Sequence, residues 1–310
     1  MLLIELPSPM KLIYHITVLA SVVLLAGTAC SAPPTTDAAN VENNASKTNT
    51  NKKANSRKPQ PDEILSYKKV GDIDLTLHIF RPDDSTADQS RPAIVFFFGG
   101  GWVSGSPQQF YPQAKHLASQ GMVAICADYR TQSRHQTPPT ACVADGKSAI
   151  RYVRSHAASL GINPNQIAAG GGSAGGHVAA STAALTSFDD ENDDTSVSCR
   201  PNALVLFNPV FDNGPNNWGH KKVKAYWQEI SPAHNLHADM PATLVMLGTS
   251  DNLIPVSTAE NFQTKLQSLG VRCELKLYDN QPHGFFNKAK YKETVQDMDV
   301  FLRSLGYLQE

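Results

Sequence analysis

The sequence predicts an α/β fold, a mostly parallel, doubly wound sheet flanked by helices, and three observations point to it. From about Ile64 onward, short runs of strand length alternate with longer helix-like stretches, and no repeat is found. Most of the short runs are apolar throughout, as strands covered on both faces are. Glycines stand just after helix-like stretches, at Gly121, Gly161 and Gly270, where a left-handed cap is commonly needed.

Taken in order, the chain begins with residues 1–30, which have the parts of a secretory signal. Lys11 is a short positive region, Leu12 to Ala26 is an apolar run interrupted by His15, and Gly27, Thr28, Ala29 and Cys30 follow, so Met10 is a candidate start. The run of 15 residues is shorter than the roughly 20 a spanning helix needs. The small-small-Cys ending resembles the lipobox of bacterial lipoproteins, with Gly27 where that motif usually has Leu. Two products are expected with equal weight: a protein lipidated at Cys30, or a soluble one cleaved near Ala29 or Ala32. Either way the chain is expected to be exported, to the cell envelope or beyond. Residues 31–61 are rich in Ala, Thr, Asn, Pro and Lys and bury too little to fold, so they read as a flexible linker.

Residues 62–310 read as one domain. Asp74 to Phe80 alternates apolar and other residues, as a half-buried antiparallel strand does, and Arg81-Pro82 ends it. Strands are expected at Ala93–Phe98, Val123–Ala127, Ile167–Ala169, Ala203–Phe207, Thr243–Leu247 and Glu274–Tyr278. Helices are expected at Tyr111–Gln120, Ala141–Leu160, Gly175–Leu185, Val256–Leu269 and Lys292–Leu305. In such sheets ligands sit at the carboxyl ends of the strands. A formal net charge of −1 over 310 residues offers no basic field for nucleic acid or a membrane surface. Cys30, Cys126, Cys142, Cys199 and Cys273 lack the close pairing of a zinc site, and the pairing of the last four is left open. The acidic run Asp189 to Asp194 is expected to be a solvated loop rather than a metal site.

The chemistry is expected on three carboxyl-end loops. Gly170-Gly171-Gly172-Ser173-Ala174-Gly175-Gly176 follows one strand and opens an Ala-rich helix, a G-x-S-x-G turn in a strand-turn-helix setting. Such a turn lifts the serine hydroxyl above the sheet, and the helix N-terminus directs N–H donors at a nascent oxyanion. Phe98-Gly99-Gly100-Gly101-Trp102 follows another strand, and its glycines let backbone N–H groups converge on one oxygen. Gly100, Gly101 and Ala174 are the expected donors. A serine hydroxyl needs a base, and an imidazole base needs a carboxylate to fix its tautomer. Asp251 and His283 each follow a later strand, which makes them the expected acid and base for Ser173. The competitors are Asp279 for the acid and His177, His234 and His237 for the base. No metal or organic cofactor is required by this chemistry.

The motifs Gly99-Gly100-Gly101-Trp102, Ala127-Asp128-Tyr129-Arg130, Gly171-Gly172-Ser173-Ala174-Gly175-Gly176, Gly248-Thr249-Ser250-Asp251 and Pro282-His283-Gly284 resemble those of α/β-hydrolase esterases. The group is the hormone-sensitive-lipase-like and acetyl xylan/feruloyl esterase group, and the resemblance runs from about Leu65 to Leu305. It implies the α/β-hydrolase fold, the triad Ser173, Asp251 and His283, and the oxyanion donors Gly100, Gly101 and Ala174. Two positions depart from it: Phe98 stands where the group commonly has His, and Gly172 where it commonly has an acidic residue. The expected activity is that of a serine carboxylic ester hydrolase working through an acyl-enzyme on short acyl esters, with small-molecule or carbohydrate esters as partners. A prolyl-oligopeptidase-like peptidase and a non-catalytic binding protein that keeps the fold are the rival readings. The segment Phe211 to Asp239, with Trp218, Tyr226 and Trp227, is either a cap on the pocket or surface packing.

Overall fold

The computed structural model describes residues 58–86 and 89–309. The expected signal segment, Cys30 and nearly all of the expected linker lie outside the described residues. Among the described residues, eight strands form one sheet: β1 Glu63–Val70, β2 Ile73–Phe80, β3 Arg91–Phe97, β4 Val123–Ala127, β5 Ile162–Gly172, β6 Ala203–Phe207, β7 Ala242–Gly248 and β8 Cys273–Tyr278. The described residues also form nine α-helices: α1 Tyr111–Ser119, α2 Gln132–His135, α3 Pro139–Ser155, α4 Ala157–Leu160, α5 Ala174–Ala184, α6 His220–Val223, α7 Trp227–Ile230, α8 Val256–Ser268 and α9 Tyr291–Ser304. No described helix is long and apolar enough to cross a membrane.

The sheet order is β1-β2-β4-β3-β5-β6-β7-β8. β2 alone runs against its neighbours β1 and β4; every other pair is parallel. Alternate residues of each central strand face opposite layers. Ala93, Val95 and Phe97 of β3 enter one apolar cluster, while Ile94 and Phe96 enter the other. Both faces are therefore covered, which is why the inner stretches Ala93–Phe97, Val123–Ala127 and Ala203–Phe207 are apolar at every position. Gly121, Gly161 and Gly270 have φ of +98°, +68° and +76°, the left-handed caps expected of them.

One expected helix is divided in two. The Ala141–Leu160 stretch begins earlier, at Pro139, whose fixed φ suits the first helical position. It then breaks at His156, whose Nδ1 lies 2.9 Å from the Tyr152 carbonyl and whose ring stacks on Tyr152 at 4.0 Å. The His156 backbone N–H still donates to the same carbonyl at 3.0 Å, so the ring is a second partner of that carbonyl where the helix ends. β1 and the four-residue helices α2, α6 and α7 carry too short or too weak a period to be read from sequence.

The acidic run is solvated only in part: Glu191, Asn192 and Asp194 are exposed, whereas Asp189, Asp190 and Asp193 turn onto buried cations. Asp189 pairs with Lys147 at 2.9 Å and with Arg151 at 2.5 Å, Asp193 pairs with Arg151 at 2.9 Å, and Asp190 pairs with Lys68 at 2.7 Å. Lys68 and Arg130 also hold the fully buried Asp145. The cations on α3 and β1 are inside the fold, so their charges draw the acidic residues down onto them. Cys126, Cys142, Cys199 and Cys273 are free thiols.

Candidate active site

The register of the sheet brings the two glycine-rich turns together. Phe97 at the end of β3 lies opposite Gly171 near the end of β5, so the loops that follow leave adjacent strands at one level. The chain order reverses across this part of the sheet, where such folds open a crevice.

Ser173 stands between β5 and α5 with φ +53° and ψ −119°. An L-residue in this region carries strain of about 1–3 kcal/mol, and only crowded surroundings keep it there. The crowding is visible at the flanking glycines. A Cβ on Gly171 would lie 2.4 Å from the Gly175 carbonyl oxygen, and one on Gly175 would lie 2.1 Å from that of Phe97. The Ser173 N–H donates to the Phe207 carbonyl at 2.9 Å, and its own carbonyl accepts from His177 and Val210. The turn is thus tied to β6 and to the first turn of α5.

Asp251 and His283 arrive on the loops after β7 and β8. Those loops are laced together: Thr249 N–H donates to the Tyr278 carbonyl and Ser250 N–H to that of Gln281. The Asp251 side chain is fully buried, and its Oδ1 accepts from the N–H groups of Leu253 at 2.9 Å and Ile254 at 3.0 Å. Its Oδ2 lies 2.7 Å from His283 Nδ1. A carboxylate only accepts, so Nδ1 carries the proton and Nε2 of the neutral ring is left to accept. Ser173 Oγ stands 2.8 Å from that Nε2. The three sequence-expected residues therefore form one hydrogen-bonded file.

The competitors are engaged elsewhere. Asp279 is exposed, and His234 pairs with Asp212. His237 lies against the Ala183 carbonyl. His177 is fully buried, and its Nε2 donates to the Ile230 carbonyl at 2.9 Å. Burial lowers its pKa to about 4, only partly offset by that hydrogen bond. It is a neutral packing residue beneath Trp102, whose ring meets it edge-on at 4.9 Å.

Gly99, Gly100 and Gly101 line one cavity of about 280 Å³ with Ser173 and His283. The Gly100 carbonyl accepts from the N–H groups of Val103 and Ser104, both at 3.1 Å. Across a trans peptide the N–H points opposite the C=O, so this clamp turns the Gly101 N–H the other way. Gly100 and Gly101 have φ of +138° and +67°, and the fold imposes +61° on Trp102 as well. Ala174 is the first residue of α5, where the helix supplies no acceptor for its N–H.

Both departures from the family pattern have a packing reason. Phe98 stacks on Tyr129 with ring centroids 4.0 Å apart, and the Tyr129 hydroxyl donates to the Phe98 carbonyl at 2.5 Å. The loop is thus anchored by an aromatic pair. A Cβ on Gly172 would lie 2.6 Å from the Phe286 ring and 3.4 Å from the Phe110 ring. Those rings occupy the space of a side chain at 172.

Residues not anticipated also reach the site. Asn208 directly follows β6, is buried, and sets its Nδ2 3.4 Å from His283 Nε2 while its Oδ1 accepts from the Gly284 N–H. A polar residue at the carboxyl end of a buried strand was the available signal. Gln109, Trp218, Leu253 and Phe286 complete the lining. Trp218 comes from the Phe211 to Asp239 segment and stands against Gly101, so that segment borders the pocket. Among the described residues no group of three or more His, Cys, Asp and Glu is placed to hold a metal ion.

Known proteins resemble this chain in sequence and in fold. The BD-FAE family matches residues 77–266. An AB hydrolase superfamily protein of Schizosaccharomyces pombe is 30% identical over 233 residues, 66% of this chain and 66% of its own. Esterase LipC of Mycobacterium tuberculosis is 30% identical over 257 residues, 74% of this chain and 62% of its own. The chain spans just under two thirds of the length of these curated relatives. Among solved structures, Thermogutta terrifontis esterase 2 phosphoramylated by tabun is 43% identical with a TM-score of 0.77, covering 80% of this chain and 96% of that one. Its propionate-bound form is 42% identical with a TM-score of 0.76 and the same coverage.

Proposed function

The chain belongs to the BD-FAE family of esterase-like α/β-hydrolases, and from that premise we propose that it is a serine carboxylic ester hydrolase acting on short acyl esters. The file Ser173, His283, Asp251, with Ser173 held in a strained turn, is the observation that carries this reading. Ser173 Oγ attacks the ester carbonyl as His283 Nε2 takes its proton, and Asp251 stabilises the imidazolium that forms. The carbonyl oxygen, now negative, is received by the N–H groups of Gly100, Gly101 and Ala174. His283 returns the proton to the departing alkoxide, leaving an acyl-enzyme that water cleaves by the same steps.

A short acyl group fits a cavity of about 280 Å³ that the buried Phe286 helps to line. Propionate- and butyrate-bound forms of the Thermogutta esterase support the same size class. The test is hydrolysis of p-nitrophenyl esters of rising chain length by the folded protein beside Ser173→Ala. Acetate and butyrate esters are expected to be cleaved, long-chain esters poorly, and all activity is expected to vanish in the variant. A folded protein inert to every ester, or a variant as active as the parent, rejects the reading.

Export belongs to the same proposal, supported by Lys11, the apolar run after it and Cys30. With lipid at Cys30, the full chain fractionates with membranes and Cys30→Ser does not; equal partitioning of the two rejects the anchor.

A further inference from the structure

The glycine loop that carries two of the oxyanion donors is held from outside by a side chain with no part in the steps above. Gln109 lies in the short helical turn Pro107–Phe110, and its Oε1 accepts from the Gly99 N–H at 2.5 Å. At the other end of the same peptide unit the Phe98 carbonyl accepts from the Tyr129 hydroxyl, also at 2.5 Å. In a trans peptide that C=O and N–H point opposite ways in one plane, so a bond at each end fixes the plane.

Two more peptide planes follow it. The first joins Gly99 to Gly100 and carries the Gly100 N–H; its carbonyl packs on Gly105, where a Cβ would lie 2.3 Å from the Gly99 oxygen. The second carries the Gly101 N–H and is clamped through the Gly100 carbonyl by Val103 and Ser104. Glycines bring no side chain to restrict their own path, so the course of this loop is set by these outside contacts, and Gln109 makes the one at its entry.

Gln109 is itself held. Its N–H donates to the Ser106 carbonyl, its carbonyl accepts from Asn287 Nδ2 at 3.1 Å, and Asn287 Oδ1 accepts from Gln113 Nε2 at 2.7 Å. Asn287 stands four residues after His283, so Gln109 ties the donor loop to the loop of the base. The fit is tight on the other side as well: a Cβ on Gly99 would lie 2.8 Å from the Gly172 carbonyl oxygen and 3.3 Å from Ser173 Cβ. Without the Oε1 acceptor a partly buried N–H loses its partner, a cost the loop relieves only by moving against the turn of the nucleophile.

We propose that Gln109 is a positioning residue for the oxyanion site: by accepting from the Gly99 N–H it keeps the Gly100 and Gly101 N–H groups where the negative oxygen forms. This rests on the esterase reading above. The donors are needed most in the transition state, so their displacement lowers kcat and leaves KM alone.

Gln109→Met and Gln109→Ala both remove the acceptor, the first at nearly the same length. Three quantities are measured on each protein: kcat and KM for ethyl butanoate, the pH profile of kcat/KM, and Ki for propyl trifluoromethyl ketone. The adduct of that ketone with Ser173 sets a negative oxygen in the same place. In both variants kcat is expected to fall about thirtyfold, short of the roughly hundredfold that deleting a donor costs, with KM within about twofold of the parent. Ki is expected to rise about tenfold, and the acid limb of the profile to stay in place because His283 and Asp251 are untouched. KM and Ki do not depend on how much of the protein is folded, so a partly folded variant still reports. A fall in kcat with Ki unchanged overturns the proposal, and so does a rise in KM with kcat unchanged, which marks a substrate contact. A displaced acid limb overturns it by placing the effect on His283, and parent-like values throughout overturn it while the esterase reading stands. If the parent neither cleaves the ester nor binds the ketone, the esterase reading fails and the proposal with it.

Discussion

Ser173 keeps its strained backbone because β6, the glycine turn and the first turn of α5 all hold it, and the gain is a hydroxyl set 2.8 Å from an imidazole nitrogen. The orientation of that imidazole depends on Asp251 Oδ2, which alone of the nearby acids reaches Nδ1. Asp251→Asn is expected to lower kcat by roughly four orders of magnitude while the protein stays folded, because an amide can present its N–H to Nδ1 and favour the wrong tautomer. Turnover within tenfold of the parent would move the acid role elsewhere. Ser173, Asp251 and His283 were legible because each follows a strand in the required chain order. Asn208 and Gln109 were not: Asn208 carried only its place just after a buried strand, and Gln109 carried no local signature. Their contacts, with His283 from a strand two places away and with Gly99 ten residues back, exist only once the loops have closed over the carboxyl ends.

At the scale of elements, α5 is buried along its whole length, an apolar helix behind the elbow that has no solvent face. His177 is its one imidazole, and through Ile230 it ties the helix to the segment that carries Trp218. Its pKa is about 4 in the fold against an ordinary 6.5, lowered by burial. The depressed value means that the unfolded chain takes up the proton first. Stability is therefore greatest above pH 6.5 and falls as the pH drops from there toward 4, where the loss reaches about 3 kcal/mol. By pH 5 the loss is about 2 kcal/mol. Denaturant titration at pH 7.5 and 5 is expected to show this loss in the parent and to show it much reduced in His177→Gln, whose amide can still donate to the Ile230 carbonyl. The same pH slope in both proteins would put the acid sensitivity elsewhere. The helix itself was readable from its alanines and the preceding glycines. The neutral state of His177 was not, since desolvation depends on what packs around it.

For the molecule as a whole, the order β1-β2-β4-β3-β5-β6-β7-β8 places the ends of β3, β5, β6, β7 and β8 side by side, so five loops far apart in sequence share one crevice. A second network fastens α3 to β1 and to the loops after β4 and α5: Lys68 and Arg130 grip the buried Asp145, and the acidic loop closes over Lys147 and Arg151. That loop reads as solvated by charge alone, because the cations it answers lie about 40 residues upstream on α3 and further still on β1. The doubly wound sheet, the left-handed glycine caps, the elbow and the chain order of serine, acid and base follow from short-range rules: strand and helix periods, the φ that glycine permits, and the position of a residue just after a strand. The aromatic filling beside Gly172, the pairing of the acidic run and the contact of Gln109 with the glycine loop were decided by packing and burial between distant segments, which only the closed chain creates.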